Sequence, residues 1–389
     1  MRLFSFLAAF FLASAPLAAQ TVTPQGTDAT FDVATWNIEN FGTGAGGAAQ
    51  RDIVAEVIRQ SDVDLWALQE IVDTNDFNAL LQTIVDDGYR GVLGADPGGG
   101  GQKLAYIYNE NVVTVNATTT ILAGNEFNFA GRLPFVMLGR ATVGGQTQSF
   151  RAVNIHAKCC GDSRSYERRT EAAIALKAYT DDQIERGRTI LLLGDFNDRL
   201  NISTAGGLSP YRPYRSDPDY TIATFDIDRV NTPTFCGNSS CSSGSTLDHI
   251  LFSNDLGASY VPDADPRFEQ LLDEISSYTS TTSDHLPVIA QFTLVPVAGE
   301  DAPQRIASLT VSPNPVRDAA RVSFGLAEPA HVRVDVMDVL GRHVAGTTGA
   351  FGSGDQSVSL PTASLAPGVY VVRLWADGDV RTRTIVRAR

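Results

Sequence analysis

Lysine is nearly missing from this chain: Lys103, Lys158 and Lys177 are the only three in 389 residues, and the formal net charge is −14. Such an acidic chain does not grip nucleic acid tightly through a broad basic face. It can still meet phosphate through a divalent cation, because the ion reverses the local sign of the field. Cysteine is scarce too, with Cys159, Cys160, Cys236 and Cys241, too few for a disulfide-dense scaffold. Their spacing makes no paired CxxC hooks and no histidine completes a site, which argues against structural zinc. After the first twenty residues no apolar run is long enough for a transmembrane helix. The near-exclusive use of arginine for positive charge fits a GC-rich genome or a salty habitat.

What is present is an ordinary globular composition, 43% hydrophobic and 19% charged, in a chain long enough for two folded units. Met1 to Ala19 has Arg2, the apolar stretch Leu3–Leu12 and small residues to Ala19, the pattern of a secretory signal. A soluble monomer outside the cytoplasm is expected. Export makes the cysteines disulfide partners, with three connectivities open. Bridging the adjacent Cys159 and Cys160 would strain the backbone, so cross-links from them to Cys236 and Cys241 are favoured, and a small Cys236–Cys241 loop is the rival. Residues 306–389 hold seven Asp/Glu against nine Lys/Arg, leaving 37 against 21 in residues 1–305. The first unit carries the acidic excess.

Hydrophobic periodicity divides the chain. A spacer at 20–30 leads into a unit at 31–295, where apolar strands such as Phe31–Ile38, Leu104–Tyr108, Phe135–Val143, Phe150–Ile155 and Thr189–Leu193 alternate with helical spacings around Ile53–Ile58, Phe77–Ile84 and Ser165–Arg186. Two packed sheets with helices outside, an α/β sandwich, account for that order. Gly98–Gly101 reads as a flexible loop tip. A linker at 296–305 precedes residues 306–389, whose short alternating runs and Gly/Pro-rich turns read as a small all-β sandwich.

The polar residues that carry chemistry stand at strand ends. In ILLLGDFND the apolar strand delivers Asp195 and Asn197 to one side of the extended chain, where a carboxylate and an amide suit a phosphate oxygen and an attacking water. Glu70 closes DLWALQE as a hard-metal ligand would. Asn37 and Glu39 in WNIENF share a spacing of two and can reach the same ion. In SDHLPV, Asp284 and His285 are neighbours that point oppositely, which lets one bind metal while the other faces substrate. His156 ends RAVNIH. Asp248 in STLDHILF would orient an imidazole and make it a better base near neutral pH, whereas His249 points away and packs. Phosphodiester hydrolysis needs this kit: a cation on the phosphoryl oxygen, a base for water and protection of the leaving oxygen.

WNIENF, LQE, QKLAYIY, GRLPF, NIHAK, GDFND, TLDHI and SDHLPV, in that order, resemble the endonuclease/exonuclease/phosphatase (deoxyribonuclease I-like) superfamily over residues 31–295. The resemblance implies a four-layered α/β/β/α sandwich. It implies Glu70 as principal Mg²⁺ ligand, assisted by Asn37, Asp284 and Glu39, with Mn²⁺ or Ca²⁺ as alternatives. Asp195 and Asn197 would position phosphate and nucleophile, and His285 with Asp248 would form the base. His156 matches the second histidine of the deoxyribonuclease-like branch, although the acidic partner expected near residues 103–108 is missing. Arg132 falls where that branch contacts substrate phosphate, and Lys103 is a weaker candidate for the same role.

SPNPVRD, VDVMDVLGR and LAPGVYVVRL resemble a type IX secretion C-terminal sorting domain over residues 306–389, which implies the type IX machinery as a partner and release to the medium or the outer cell surface. With Trp375 its sole tryptophan, this unit is a poor sugar platform. The expectation for the whole chain is a secreted Mg²⁺-dependent nuclease acting on extracellular DNA, with RNA left open as a second substrate. The alternatives are a sphingomyelinase- or phosphatase-like phosphoesterase, for which the loop Tyr260–Arg267 is too polar, and an inactive surface binding protein, which would show gaps in the metal and histidine set.

Overall fold

The computed structural model describes residues 21–43, 47–96, 101–294, 306–338, 343–376 and 379–388. The signal segment, the linker between the units and the tip Gly98–Gly100 lie outside the described residues. The first unit begins with β1 (Phe31–Phe41), α1 (Ala48–Gln60), β2 (Leu65–Ile71), α2 (Thr74–Ile84), β3 (Tyr89–Leu93) and β4 (Lys103–Asn109). It continues through β5 (Val113–Thr120), β6 (Phe135–Val143), β7 (Gln146–His156), α3 (Ser163–Glu185) and β8 (Ile190–Asp195). Short strands follow: β9 (Tyr220–Ile222), β10 (Phe235–Cys236), β11 (Gly244–Ser245), β12 (Asp248–Ser253), β13 (Tyr260–Val261) and β14 (Val288–Phe292).

Two six-stranded sheets result, in the orders β13-β14-β1-β2-β4-β3 and β5-β6-β7-β8-β12-β9. Each holds one parallel pair, β1 with β2 and β7 with β8, and each such pair is joined by a helix, as a parallel connection requires. Alternation along the strands sorts the apolar side chains into three layers. Trp36, Trp66 and Leu68 face Ile53, Val54, Ile58, Phe77 and Leu80 of α1 and α2. Val33, Leu65, Ala67, Leu191, Leu193, Ile250 and Phe252 fill the space between the sheets. Val153, Ile155 and Leu192 meet Ala172, Ala173 and Leu176 of α3. The order is helix, sheet, sheet, helix. Each fully buried aliphatic side chain in these layers stabilises by roughly 1.5–3 kcal/mol.

The helices start where their caps allow. Asp73 accepts from Asn75 N and Asp76 N at the start of α2, and Asp162 accepts from Ser165 N at the start of α3, satisfying donors that no helical carbonyl can reach. Gly88, in the left-handed region at φ 85°, stops the chain after α2.

The second unit contains β15 (Ile306–Ser312), β16 (Ala319–Leu326), β17 (Ala330–Asp338), β18 (His343–Phe351), β19 (Gly354–Pro361), β20 (Gly368–Ala376) and β21 (Asp379–Arg387). A sheet β15-β16-β19 and a sheet β18-β17-β20-β21 pack around Val322, Phe324, Val334, Val336, Val372 and Leu374, an all-β sandwich. Trp375 is covered by the guanidinium groups of Arg333 and Arg373. Among the described residues, no helix is long and apolar enough to cross a membrane.

Candidate functional site

The strand faces that fill the space between the sheets run out of apolar residues at one end, and there the same faces carry the polar ones. On β1, Phe31 and Val33 are inter-sheet core and Asn37 continues that face; on β7, Phe150 and Ala152 lead to His156. On β8, Leu191 and Leu193 lead to Asp195, and β12 sets Asp248 directly opposite Asp195 in the antiparallel ladder. A period of two therefore brings Asn37, His156, Asp195 and Asp248 to one place. Beneath them Gln69 Nε2 donates to Thr35 Oγ1 (3.0 Å) and Asn154 Oδ1 (2.8 Å), and Asn154 Nδ2 donates to the carbonyls of Leu68 and Ala105 (both 3.0 Å), stitching the sheets together under the site.

Glu70 arrives by another route. Strict alternation would turn it outward with Trp66 and Leu68, toward the helices. Its backbone is left-handed at φ 67°, and the registers of β2 with both neighbours shift at this point, so a bulge re-aims the carboxylate into the cleft. Glu39 and Asn40 are also left-handed (φ 35° and 46°). Asn40 N donates to Glu70 Oε2 at 2.9 Å.

The result is an open cleft of about 500 Å³ lined by Glu39, Glu70, Arg132, His156, Asp195, Asn197, Asp284 and His285, with Cys159, Cys160 and Phe235 on its walls. Asn37 lies buried beneath it: Nδ2 donates to Glu70 Oε1 and Asp195 Oδ2 (both 3.1 Å), while Oδ1 accepts from Glu39 N (3.0 Å). Asn197, left-handed at φ 50°, turns back so that its backbone N and Nδ2 both donate to Asp195 (2.8 and 2.9 Å). His156 Nε2 faces Glu70 Oε1 at 3.6 Å and Asp195 Oδ2 at 3.5 Å, so its acidic neighbours come from β2 and β8, not from residues 103–108. Its Nδ1 is buried without a hydrogen-bond partner.

Across the cleft, His285 Nδ1 meets Asp248 Oδ2 at 2.7 Å, and the fully buried Asp248 also accepts from the Thr234 hydroxyl at 2.7 Å. The backbone around His285 is fixed: its carbonyl accepts from Trp36 Nε1 and Tyr278 Oη, and its N–H donates to Ser283 Oγ. Asp284 does not point away from its neighbour, contrary to the alternation expected for SDHLPV. Its Oδ1 lies 3.8 Å from His285 Nε2, because this segment precedes β14 and forms only an isolated bridge with Phe235. His249 packs as expected, edge-on to Phe196, with its nitrogens near Thr224 Oγ1 (3.0 Å) and the Asp198 carbonyl (3.1 Å).

Burial works against ionisation throughout. It lowers His285, but Asp248, then Asp195 and Asp284, outweigh it and push the imidazole up to about 10. Burial lifts Asp195 to about 7 against the pull of His285, and raises Glu39 and Asp284 with help from neighbouring carboxylates. It drops His156 well below its ordinary value, reinforced by Arg132, so His156 is neutral.

Arg132 reaches the cleft, although its Nε and one Nη donate to the carbonyls of His156 and Ala157 and the other Nη to Gln102 Oε1. Lys103 does not: its ammonium is held by the Val72 carbonyl at 2.9 Å and Asp96 at 3.5 Å, away from the cleft lining. The favoured cysteine pairing is also corrected. Cys236 and Cys241 are bridged to each other, and Cys159 and Cys160 are free, because Cys236 and Cys241 sit on one hairpin. Thr234 and Phe235 are the functional neighbours that sequence reasoning missed. Phe235 packs on the His285 ring, centroids 5.2 Å apart; no periodicity marks either residue.

A divalent cation fits this donor set. Glu39, Glu70, Asp195 and Asp284 crowd one cleft, where burial and neighbouring carboxylates raise Glu39, Asp195 and Asp284, and Arg132 is the one Lys or Arg side chain among the described residues of its lining. Hard oxygen donors of this kind suit Mg²⁺, Mn²⁺ or Ca²⁺. The tightest geometric cluster of potential ligands is Asp195, Asp248 and His285, but Asp248 and His285 already share a direct hydrogen bond and Asp248 is inaccessible. The carboxylates facing the cleft fit a cation better than that trio does.

A two-sheet α/β sandwich that gathers carboxylates and a His–Asp pair at one strand end defines a class of phosphoester hydrolases. The chain belongs to the Endonuclease/Exonuclease/phosphatase family, whose model matches residues 34–285, and residues 310–387 match the Secretion system C-terminal sorting domain. Among solved structures, the endonuclease/exonuclease/phosphatase from Beutenbergia cavernae superposes with a TM-score of 0.50 at 18% identity, covering 92% of this chain and 99% of that one. TDP2 from C. elegans gives 0.50 at 16% identity, covering 69% and 76%. These likenesses show the fold. No curated protein matches the chain.

Proposed function

We propose that the first unit is a secreted, divalent-cation-dependent nuclease, using Mg²⁺, that hydrolyses phosphodiester bonds of extracellular DNA and RNA. The observation that carries this reading is the His285–Asp248 pair at 2.7 Å, opposed across one open cleft by Glu70 and His156. Asp248 accepts the hydrogen bond from Nδ1–H and so leaves Nε2 to accept a proton from water, as a general base must. Asn197, whose Nδ2 is held by Asp195 and the Ala157 carbonyl, has Oδ1 left to accept from that water and orient it. Neutral His156 offers an N–H to a second phosphate oxygen, and Arg132 adds positive charge. When bound among Glu70, Asp284 and Glu39, the cation polarises the phosphoryl oxygen and neutralises developing charge. With a cation held there, His285 would titrate below the value of about 10 that Asp248, Asp195 and Asp284 otherwise impose.

The sorting domain directs the protein to the outer surface or the medium, and we read Met1–Ala19 as the signal for the first export step. The test offers the full chain supercoiled plasmid, linear duplex, RNA and sphingomyelin, each with Mg²⁺ or EDTA, beside His285→Ala. Cleavage of nucleic acid in Mg²⁺ alone, lost in the variant, supports the reading. Survival of every nucleic acid while sphingomyelin is consumed replaces it with the phosphoesterase alternative.

A further inference from the structure

Phe127 is the most exposed phenylalanine among the described residues, with 60% of its surface open. It stands on the loop between β5 and β6, five residues before Arg132, which lines the cleft. The Arg168 guanidinium lies 4.3 Å from the ring centroid and that of Arg164 lies 5.8 Å away. Arg168 also donates through Nε to the Phe127 carbonyl at 3.0 Å, fixing the ring against α3. Both arginines belong to the first turns of α3, directly after the segment Cys159–Gly161 that forms a cleft wall. Two segments thus leave the cleft and converge on one aromatic ring.

Charge sets this place apart from the rest of an acidic unit. Glu126 and Asp162 lie close in sequence, yet neither Arg164 nor Arg168 makes an ion pair among the described residues. Arg132, which is on the cleft lining, and Lys158, held by Cys159, make no such pairs either. Arg168 lies over the ring, and arginines held by no carboxylate around an aromatic ring that is still 60% exposed suit a nucleotide: the base stacks on the exposed part of the ring and the phosphate meets a guanidinium. Duplex keeps its bases stacked inside, so the matching partner is single-stranded.

We propose that Phe127, with Arg164 and Arg168, is a binding platform for an unpaired stretch of single-stranded nucleic acid whose scissile phosphate lies in the cleft. This rests on the nuclease reading and adds to it a substrate form and a specificity element outside the reacting centre. Binding is read on the full chain carrying His285→Ala in Mg²⁺, with a labelled oligothymidylate, so that hydrolysis is not needed. Adding Phe127→Ala is expected to weaken binding about five- to a hundred-fold, with Phe127→Trp restoring it. Adding Arg164→Ser should flatten the dependence of log Kd on log salt by about 0.7.

In the catalytically intact chain, Phe127→Ala should raise KM for the oligonucleotide while leaving hydrolysis of a small phosphodiester, thymidine 5′-(p-nitrophenyl phosphate), within two-fold. Unchanged oligonucleotide affinity overturns the platform, as does an equal loss on the small diester, which marks a structural role. Exposed Ile202 and Leu208 make a lipid surface the rival. Phosphatidylcholine vesicles that bind through Phe127 while the oligonucleotide does not would also overturn it. Failure of the small diester in the unmodified chain, by contrast, strikes the hydrolase reading and leaves the binding measurement to judge the platform.

Discussion

Asp248 holds His285 through one carboxylate oxygen, with Oδ2 2.7 Å from Nδ1, and shields that contact completely from water. The pairing fixes the tautomer that leaves Nε2 facing the cleft. His285→Ala is therefore expected to lower kcat about 10²–10⁴-fold with little change in KM. Asp248→Asn should come within about ten-fold of that loss, because an amide nitrogen facing Nδ1 disfavours the working tautomer. Steady-state kinetics on oligonucleotide and small diester read both; a near-normal Asp248→Asn enzyme would remove Asp248 from the mechanism.

The crowd of carboxylates predicts that a divalent cation stabilises as well as activates. Neutralising the repulsion among Glu39, Glu70 and Asp284 adds RT ln(1 + [L]/Kd) to the unfolding free energy, about 2.7 kcal/mol at a hundred times Kd, and raises Tm accordingly. EDTA should abolish turnover and lower Tm by a few degrees, and Mg²⁺ should restore both. Glu70→Gln should lose the Mg²⁺-dependent rise in Tm along with activity. A Tm indifferent to Mg²⁺ in the unmodified chain would speak against a cation at these residues.

Glu70 also shows where sequence reading stops. Asn37, His156, Asp195 and Asp248 follow the period of two that packs the core, so their convergence was legible from alternation and strand order. Glu70 defies that period, and only the left-handed backbone at residue 70 delivers it; a glutamate carries no local mark of such a conformation. The neighbours of His156 were hidden for the same reason, since one of them is Glu70. Lys103 shows the converse: its position near the motif was readable, but the Val72 carbonyl and Asp96 that hold its ammonium come from separate loops.

The Cys236–Cys241 bridge closes the hairpin that carries Thr234 and Phe235, one bonded to Asp248 and the other packed on His285. Cys236 N also donates to the Asp284 carbonyl at 2.7 Å. A loop this short contributes modestly to global stability, so its loss should fall on activity. Cys236→Ser/Cys241→Ser is expected to reduce kcat about three- to thirty-fold while Tm drops by only a few degrees. Peptide mapping without reductant should find this bridge with Cys159 and Cys160 as thiols. A Cys159–Cys236 cross-link would overturn the pairing, and a variant that unfolds before losing activity would make the hairpin structural.

Far from the cleft, Asp64 and Asp32 are buried side by side at the start of the first sheet, where Asp64 Oδ2 accepts from Asp32 N at 2.9 Å. Burial, followed by repulsion from Asp32, Asp62 and Asp28 after the opposing Asp32 N–H bond, pushes Asp64 up to about 7. An acid raised on folding is held protonated by the fold, so the sign is fixed. The folded state loses stability as pH rises from the ordinary carboxyl value near 4 through 7, and the loss is complete above that. Asp64→Asn keeps an oxygen to accept from Asp32 N and removes the charge. It is expected to stabilise the protein by about 1–3 kcal/mol at pH 8 and by much less at pH 4, measured by chemical denaturation at both values. Equal stability changes at the two pH values would show that folding does not raise the Asp64 pKa.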